Sequence, residues 1–137
     1  MNGSGKLLLD TDALSLYLRK SPKVVAEAQN YLRQHKNFTF SIITRFEILR
    51  GMKAKDATAR IRFFNLFCSQ NEIIELDDRI IVTAADIYAD LHKRGRLIGD
   101  ADILIAATAI ESKLAVVTNN ESHFNRIAEL RIFNWSR

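Results

Sequence analysis

Short apolar runs separated by helical segments recur along this chain, and that alternation constrains the fold more than any other feature. Residues 6–9 (KLLL), 38–43 (FTFSII), 72–76 and 115–118 read as strands, with a short possible fifth at 131–135. The second is rich in β-branched and aromatic residues, as strands are. Between them lie helical patterns: a short one through Leu14 and Leu18, one opened by Ser21-Pro22, and two over 44–55 and 58–68. A long helix follows, with Asp77 as its cap, Ile80, Ile81, Ala84, Ala85, Tyr88 and Leu91 at helical spacing, and Gly95 at its close. Residues 100–113 form another, apolar almost all round and therefore buried. Strands joined through helices predict an α/β fold, with a central, mostly parallel sheet of four to five strands flanked by helices on both faces.

A chain of 137 residues, 47% of them hydrophobic and with only 5 Gly and 1 Pro, suits one compact domain over residues 6–137. The opening 1–5 (MNGSG) reads as a flexible N-terminus or a cloning scar. Charged residues amount to 26%, which argues against disorder. No apolar run approaches the roughly 18 residues of a membrane span, and no signal-peptide core is present, so a cytoplasmic location is expected. The lone Cys68, within RFFNLFCSQ, is expected to pack as a small hydrophobe. The net charge of +4 hints at an anionic partner without establishing one.

Parallel sheets place their sites beyond the carboxyl ends of the strands. Strand one ends in Asp10 and Asp12, strand two leads into a helix whose first turn holds Glu47, and strand four ends in Thr118-Asn119-Asn120. The buried helix opens with Asp100 and Asp102. Each has a structural alternative. Asp12, Asp77 and Asp100 can cap helices. Thr44-x-x-Glu47 fits a capping box. Asn120-Glu121 fits a turn. His35, His92 and His123 share no metal-ligand spacing and read as surface or packing residues.

Asp10 resists such a reading, because a carboxylate directly after three buried leucines carries a desolvation cost. Several carboxylates in one crevice also repel one another, which a bound cation relieves. Oxygen-only ligands suit Mg²⁺, with Mn²⁺ as the alternative, and such sites serve phosphoryl or phosphodiester chemistry.

The segments Leu8-Leu9-Asp10-Thr11, Ser41 to Gly51 (SIITRFEILRG), Asp102 to Ala109 (DILIAATA) and Val117-Thr118-Asn119-Asn120 with His123-Phe124 resemble the PIN-domain ribonucleases. Among these, the VapC toxins of bacterial toxin–antitoxin pairs are the most similar group. The resemblance runs from Leu7 to Trp135 in the right order, and the ending Arg131 to Trp135 is also similar. It implies a metal-dependent endoribonuclease in which Asp10, Glu47 and Asp102 hold the cation. Asn120 stands at a fourth site position that is often acidic, and Asp12 where asparagine is frequent. Thr11 and Thr118 would be hydroxyls beside the ligands. The resemblance also implies an RNA substrate cut to 5′-phosphate and 3′-hydroxyl ends, a homodimer, and a small antitoxin partner that buries an apolar helix. Basic residues should ring the acidic crevice, with Arg45, Arg50, Lys53, Lys55, Arg94, Arg96 and Lys113 as candidates.

Two other readings compete. LLLDTDAL and IGDAD imitate the haloacid-dehalogenase-like phosphatases, with Asp10 as a covalent nucleophile, but Leu14 and the tight Asp100–Asp102 spacing fit poorly and Glu47 has no role there. A PIN-like module that only binds RNA or protein would have no need of the acidic trio.

Overall fold

The computed structural model describes residues 5–137, so most of the expectation for the N-terminal segment, that for residues 1–4, lies outside the described residues. Five parallel strands, β1 (Leu7–Leu9), β2 (Thr39–Ser41), β3 (Glu72–Ile74), β4 (Ala115–Val117) and β5 (Ile132–Phe133), form one sheet in the order β3-β2-β1-β4-β5. Seven helices run between them: α1 (Thr11–Leu18), α2 (Pro22–Leu32), α3 (Ile42–Ala54), α4 (Thr58–Ser69), α5 (Asp78–Lys93), α6 (Asp100–Glu111) and α7 (Glu121–Phe124). The expected mostly parallel sheet is thus parallel throughout.

The three central strands, β2, β1 and β4, are buried on both faces, as the unbroken LLL and AVV runs require, while the edge strands β3 and β5 are only partly covered. Leu7, Leu9, Phe40 and Val117 pack with Leu14, Val24, Phe64 and Trp135 on one face. Leu8 and Val116 pack with Ile80, Leu91, Ile103, Ile105 and Phe124 on the other. Cys68 is buried in the first cluster, as a small hydrophobe should be. On α5 only Ile80, Ala84, Ile87 and Leu91 are buried, while Ile81, Ala85 and Tyr88 face outward.

The element boundaries bring three corrections. Ile42 and Ile43 belong to α3 rather than to β2, because the Ser41 side chain accepts from the Ile43 amide and starts the helix there. Thr44 is therefore the third helical residue, completely buried, and the Thr44–Glu47 capping box does not exist. Neither Asp12 nor Asp100 caps: the cap of α1 is Asp10, whose carboxylate accepts from the Ala13 amide at 2.7 Å, and Gly99 holds the cap position of α6. Asp77 caps α5 as expected, accepting from Ile80 at 2.9 Å.

Four helices end in a residue with left-handed backbone one place past the cap: Lys20, Asp56, Gly95 and Lys113, with φ of 64°, 52°, 65° and 60°. In each, the next amide bonds back to the third-last helical carbonyl, as in Arg96 to Leu91 and Leu114 to Ala109.

The chain leaves β1 for β2 and β3 on one side and returns to β4 on the other. The order therefore reverses between β1 and β4, which opens a crevice at their carboxyl ends.

Candidate active site

Asp10 and Thr118 are the residues directly after β1 and β4, the two strands that border the crevice. The Asp10 amide bonds to the Val117 carbonyl at 3.0 Å, so the ladder extends one residue past the strand. Its backbone is still extended, which keeps the strand's alternation and puts the side chain on the Leu8 face, where α6 packs. Asp10 is 2% exposed. Burial pushes its carboxyl up to about 7, and the charges of Asp12 and Asp102 push in the same direction. Hydrogen bonds from the Thr118 hydroxyl and the Ala13 amide pull it down without cancelling the burial. The cap bond is thus a structural role for Asp10, but it does not explain why so buried a carboxylate has two acidic neighbours.

Asp102 lies in the first turn of α6. Its Oδ2 is 3.0 Å from Nδ1 of His123 on α7, and that nitrogen is 2.8 Å from the Asn120 side-chain amide. Asn120 thus connects to Asp102 through His123, and its own backbone amide donates to the Thr118 hydroxyl at 2.8 Å. Glu47 stands in the second turn of α3, one turn deeper than the sequence suggests, because α3 begins at Ile42. Its Oε1 accepts from the Thr11 hydroxyl at 2.6 Å and its Oε2 is 3.7 Å from Arg50.

The donors are carboxylate and hydroxyl oxygens, the chemistry a hard divalent cation takes. Among the described residues, no three His, Cys, Asp or Glu side chains converge closely enough to hold a metal as they stand. The repulsion from Asp12 and Asp102 that adds to the lift of Asp10 also opposes such convergence, and a cation would supply the missing attraction. On donor type and charge the residues fit such an ion.

The basic candidates divide. Arg50 lies beside Glu47, and Lys55 lines a cleft of about 210 Å³ with Glu47, Ser15 and Arg60, the last unremarked in the sequence. Arg45 instead donates to Asn65 and Cys68 of α4 and lies over the Phe64 ring. Lys113 precedes β4 and so sits at the amino edge of the sheet, away from the crevice. The residue that sequence reasoning missed is His123: its partner is 21 positions away, so no local spacing signals it. The only sequence hint was its place in the segment shared with the resembling family.

The PIN domain profile matches residues 7–130. Ribonuclease VapC1 of Methanocaldococcus jannaschii is 35% identical over 94% of this chain and 88% of its own length. The tRNA(fMet)-specific endonuclease VapC of Shigella flexneri is 30% identical over 96% of this chain and 98% of its own length. Among solved structures, the DNA-bound VapBC of Salmonella typhimurium superposes with a TM-score of 0.84 at 29% identity, covering 95% of this chain and 98% of the other. VapBC2 of Rickettsia felis, bound to a promoter DNA fragment, also gives 0.84, at 26% identity, with 96% and 99% covered.

Proposed function

This chain belongs to the PIN domain family, and from that premise we propose that it is the RNA-cleaving toxin of a toxin–antitoxin pair, with Asp10, Glu47 and Asp102 as ligands of a divalent cation. The observation that carries the reading is Asp10: a capping carboxylate, buried at the switch point of a parallel sheet and pushed up to about 7 beside two further acids. A phosphatase using Asp10 as nucleophile leaves Glu47 without a task, and relatives named ribonuclease or endonuclease oppose both that reading and a non-catalytic module.

When bound, Mg²⁺ or Mn²⁺ supplies an activated water and stabilises the charge that develops on the phosphodiester. The protein's part is positional. Thr118 holds Asp10 and Thr11 holds Glu47 through their hydroxyls, which fixes the carboxylates before substrate arrives. Asn120 completes the rim with a neutral amide. Arg50, Lys55 and Arg60, on the Glu47 side, offset the acidic charge toward the RNA backbone.

The partner is an antitoxin protein, as the VapBC complexes that superpose on this chain suggest. A cleft lined by Tyr17, Leu18, Pro22, Val25, Phe63 and Phe67 offers an apolar helix a place to lie. The outward Ile81, Val82 and Tyr88 of α5 suit a homodimer contact. Among the described residues, no helix is long and apolar enough to cross a membrane. A toxin that cuts cellular RNA works in the cytoplasm, and the proposed site lies within one domain over residues 6–137.

Incubating the purified protein with initiator tRNA and with a bulk RNA control, with Mg²⁺ or EDTA, tests the proposal. Cleavage that EDTA and Asp10→Asn both abolish is expected. Phosphate release from p-nitrophenyl phosphate without RNA cleavage would reject it.

A further inference from the structure

Asp10 and Glu47 each accept a side-chain hydrogen bond from another segment: Asp10 from Thr118 after β4, and Glu47 from Thr11 of α1. Asp102 has a counterpart in His123, whose Nδ1 is 3.0 Å from Oδ2. The four-residue helix that carries His123 is anchored on both sides. Phe124 is completely buried in the core, and the Asn120 amide is bonded to Thr118.

The hydrogen pattern follows from what each group can offer. An ionised carboxylate only accepts, so Nδ1 must carry the hydrogen toward Asp102. Asn120, whose side-chain nitrogen is placed 2.8 Å from the same Nδ1, cannot then be donating to it. Its amide must be turned so that the oxygen shares the Nδ1 hydrogen, which the equivalence of amide O and N in shape allows. Ser122, 3.4 Å from the far end of that amide, then accepts instead of donating.

We infer that His123 is a positioning residue for the cation site: its Nδ1–H holds Oδ2 of Asp102 and leaves Oδ1 as the ligating oxygen. This rests on Asp102 being a ligand, as proposed above. The rival is a fold staple that joins α6 to α7 and does nothing for the ion. The two differ in what they move. A staple changes the stability of the metal-free protein and leaves metal affinity alone. A positioning residue changes affinity, typically by about 10–100-fold for partners of this kind.

The experiment measures the Mn²⁺ dissociation constant by calorimetry, at one fixed pH, for wild type and for His123→Ala, His123→Gln and His123→Asn. Melting temperatures in EDTA run alongside. Asn places its amide nitrogen where Nδ1 sits and can still donate to Asp102, whereas Gln reaches the Nε2 position. The expected result is about a tenfold or greater loss of affinity in His123→Ala and His123→Gln, with near-wild-type affinity in His123→Asn. Unchanged affinity in His123→Ala would overturn the inference and leave the proposed function standing. Equal losses in His123→Asn and His123→Gln would overturn the Nδ1 assignment. If His123→Ala melts early in EDTA, the comparison of the Asn and Gln variants decides. No Mn²⁺ binding by wild type would overturn the proposed site, and this inference with it.

Discussion

The Thr11 hydroxyl donates to Oε1 of Glu47 at 2.6 Å and also lies 3.0 Å from the Thr44 hydroxyl, joining the first turn of α1 to the second turn of α3. Glu47 is thereby held by a residue that follows Asp10 directly in sequence, so the backbone that sets Asp10 also sets the partner of Glu47. A capping role, in which Glu47 would reach back to the start of its own helix, is excluded by this geometry.

Glu47→Gln should therefore keep the Thr11 contact and cost little in folding, since an amide oxygen also accepts. If Glu47 is a ligand, RNA cleavage at saturating Mg²⁺ should fall at least tenfold, about 1.4 kcal/mol of transition-state stabilisation. Urea midpoints in EDTA and cleavage rates measured side by side check both halves. Equal rates for wild type and variant would remove Glu47 from the site.

Asp10 makes the metal-free protein sensitive to pH. Burial holds its carboxyl at about 7 in the folded chain, above the ordinary aspartate value of 3.8, so between these values the folded chain holds more proton than the unfolded one. Stability must then decline as pH rises through that window and level off above about 7. Asp10→Asn retains a good capping residue and removes the titration. In EDTA at pH 8.5 that variant should be more stable than wild type, and at pH 5 the advantage should shrink or vanish. Parallel pH profiles for the two proteins would contradict the burial argument.

Adding the cation should reverse the sign of that penalty. Wild type should gain stability with Mn²⁺, by about 2.7 kcal/mol at 100 times the dissociation constant. Asp10→Asn and Asp102→Asn should each lose most of the gain. Thermal melts across a Mn²⁺ titration give the answer, and coincident curves with and without metal would count against the site.

The left-handed helix ends offer a test independent of the site. Lys113 and Asp56 have φ of 60° and 52°, a backbone that costs a side-chain-bearing residue roughly 1–2 kcal/mol. Lys113→Gly should stabilise by up to about 1 kcal/mol once the extra freedom of glycine in the unfolded chain is subtracted. Gly95→Ala, at φ 65°, should destabilise by about 1 kcal/mol. Denaturant midpoints decide, and cleavage by Lys113→Gly should be unaffected because Lys113 lies at the far edge of the sheet.

The order of elements and the chemistry at their ends are legible from local sequence. The runs LLL and AVV read as buried strands, Asp77 caps the helix that its own local segment opens, and the helical spacing of Ile80, Ala84 and Leu91 marks the inner face of α5, although the same pattern takes in Ile81, Ala85 and Tyr88, which face outward, and passes over the buried Ile87. These depend on neighbours within a few residues, which the chain carries wherever it goes. Asp10 was legible for the same reason, since its three preceding leucines already declare its burial. The start of α3 was not, because Ile42 and Ile43 favour strand by side-chain shape. Sheet pairing stops at Ser41, where the side chain turns to cap the helix. The same holds for His123 and Asp102, for Thr11 and Glu47, and for Arg45 turning to α4 rather than to the crevice. Each contact joins segments 20 or more positions apart. These contacts come from the packing of whole elements, α6 on α7, α1 on α3 and α3 on α4, and the reversal of strand order between β1 and β4 sets Asp10 at the crevice; neither leaves a mark on local spacing.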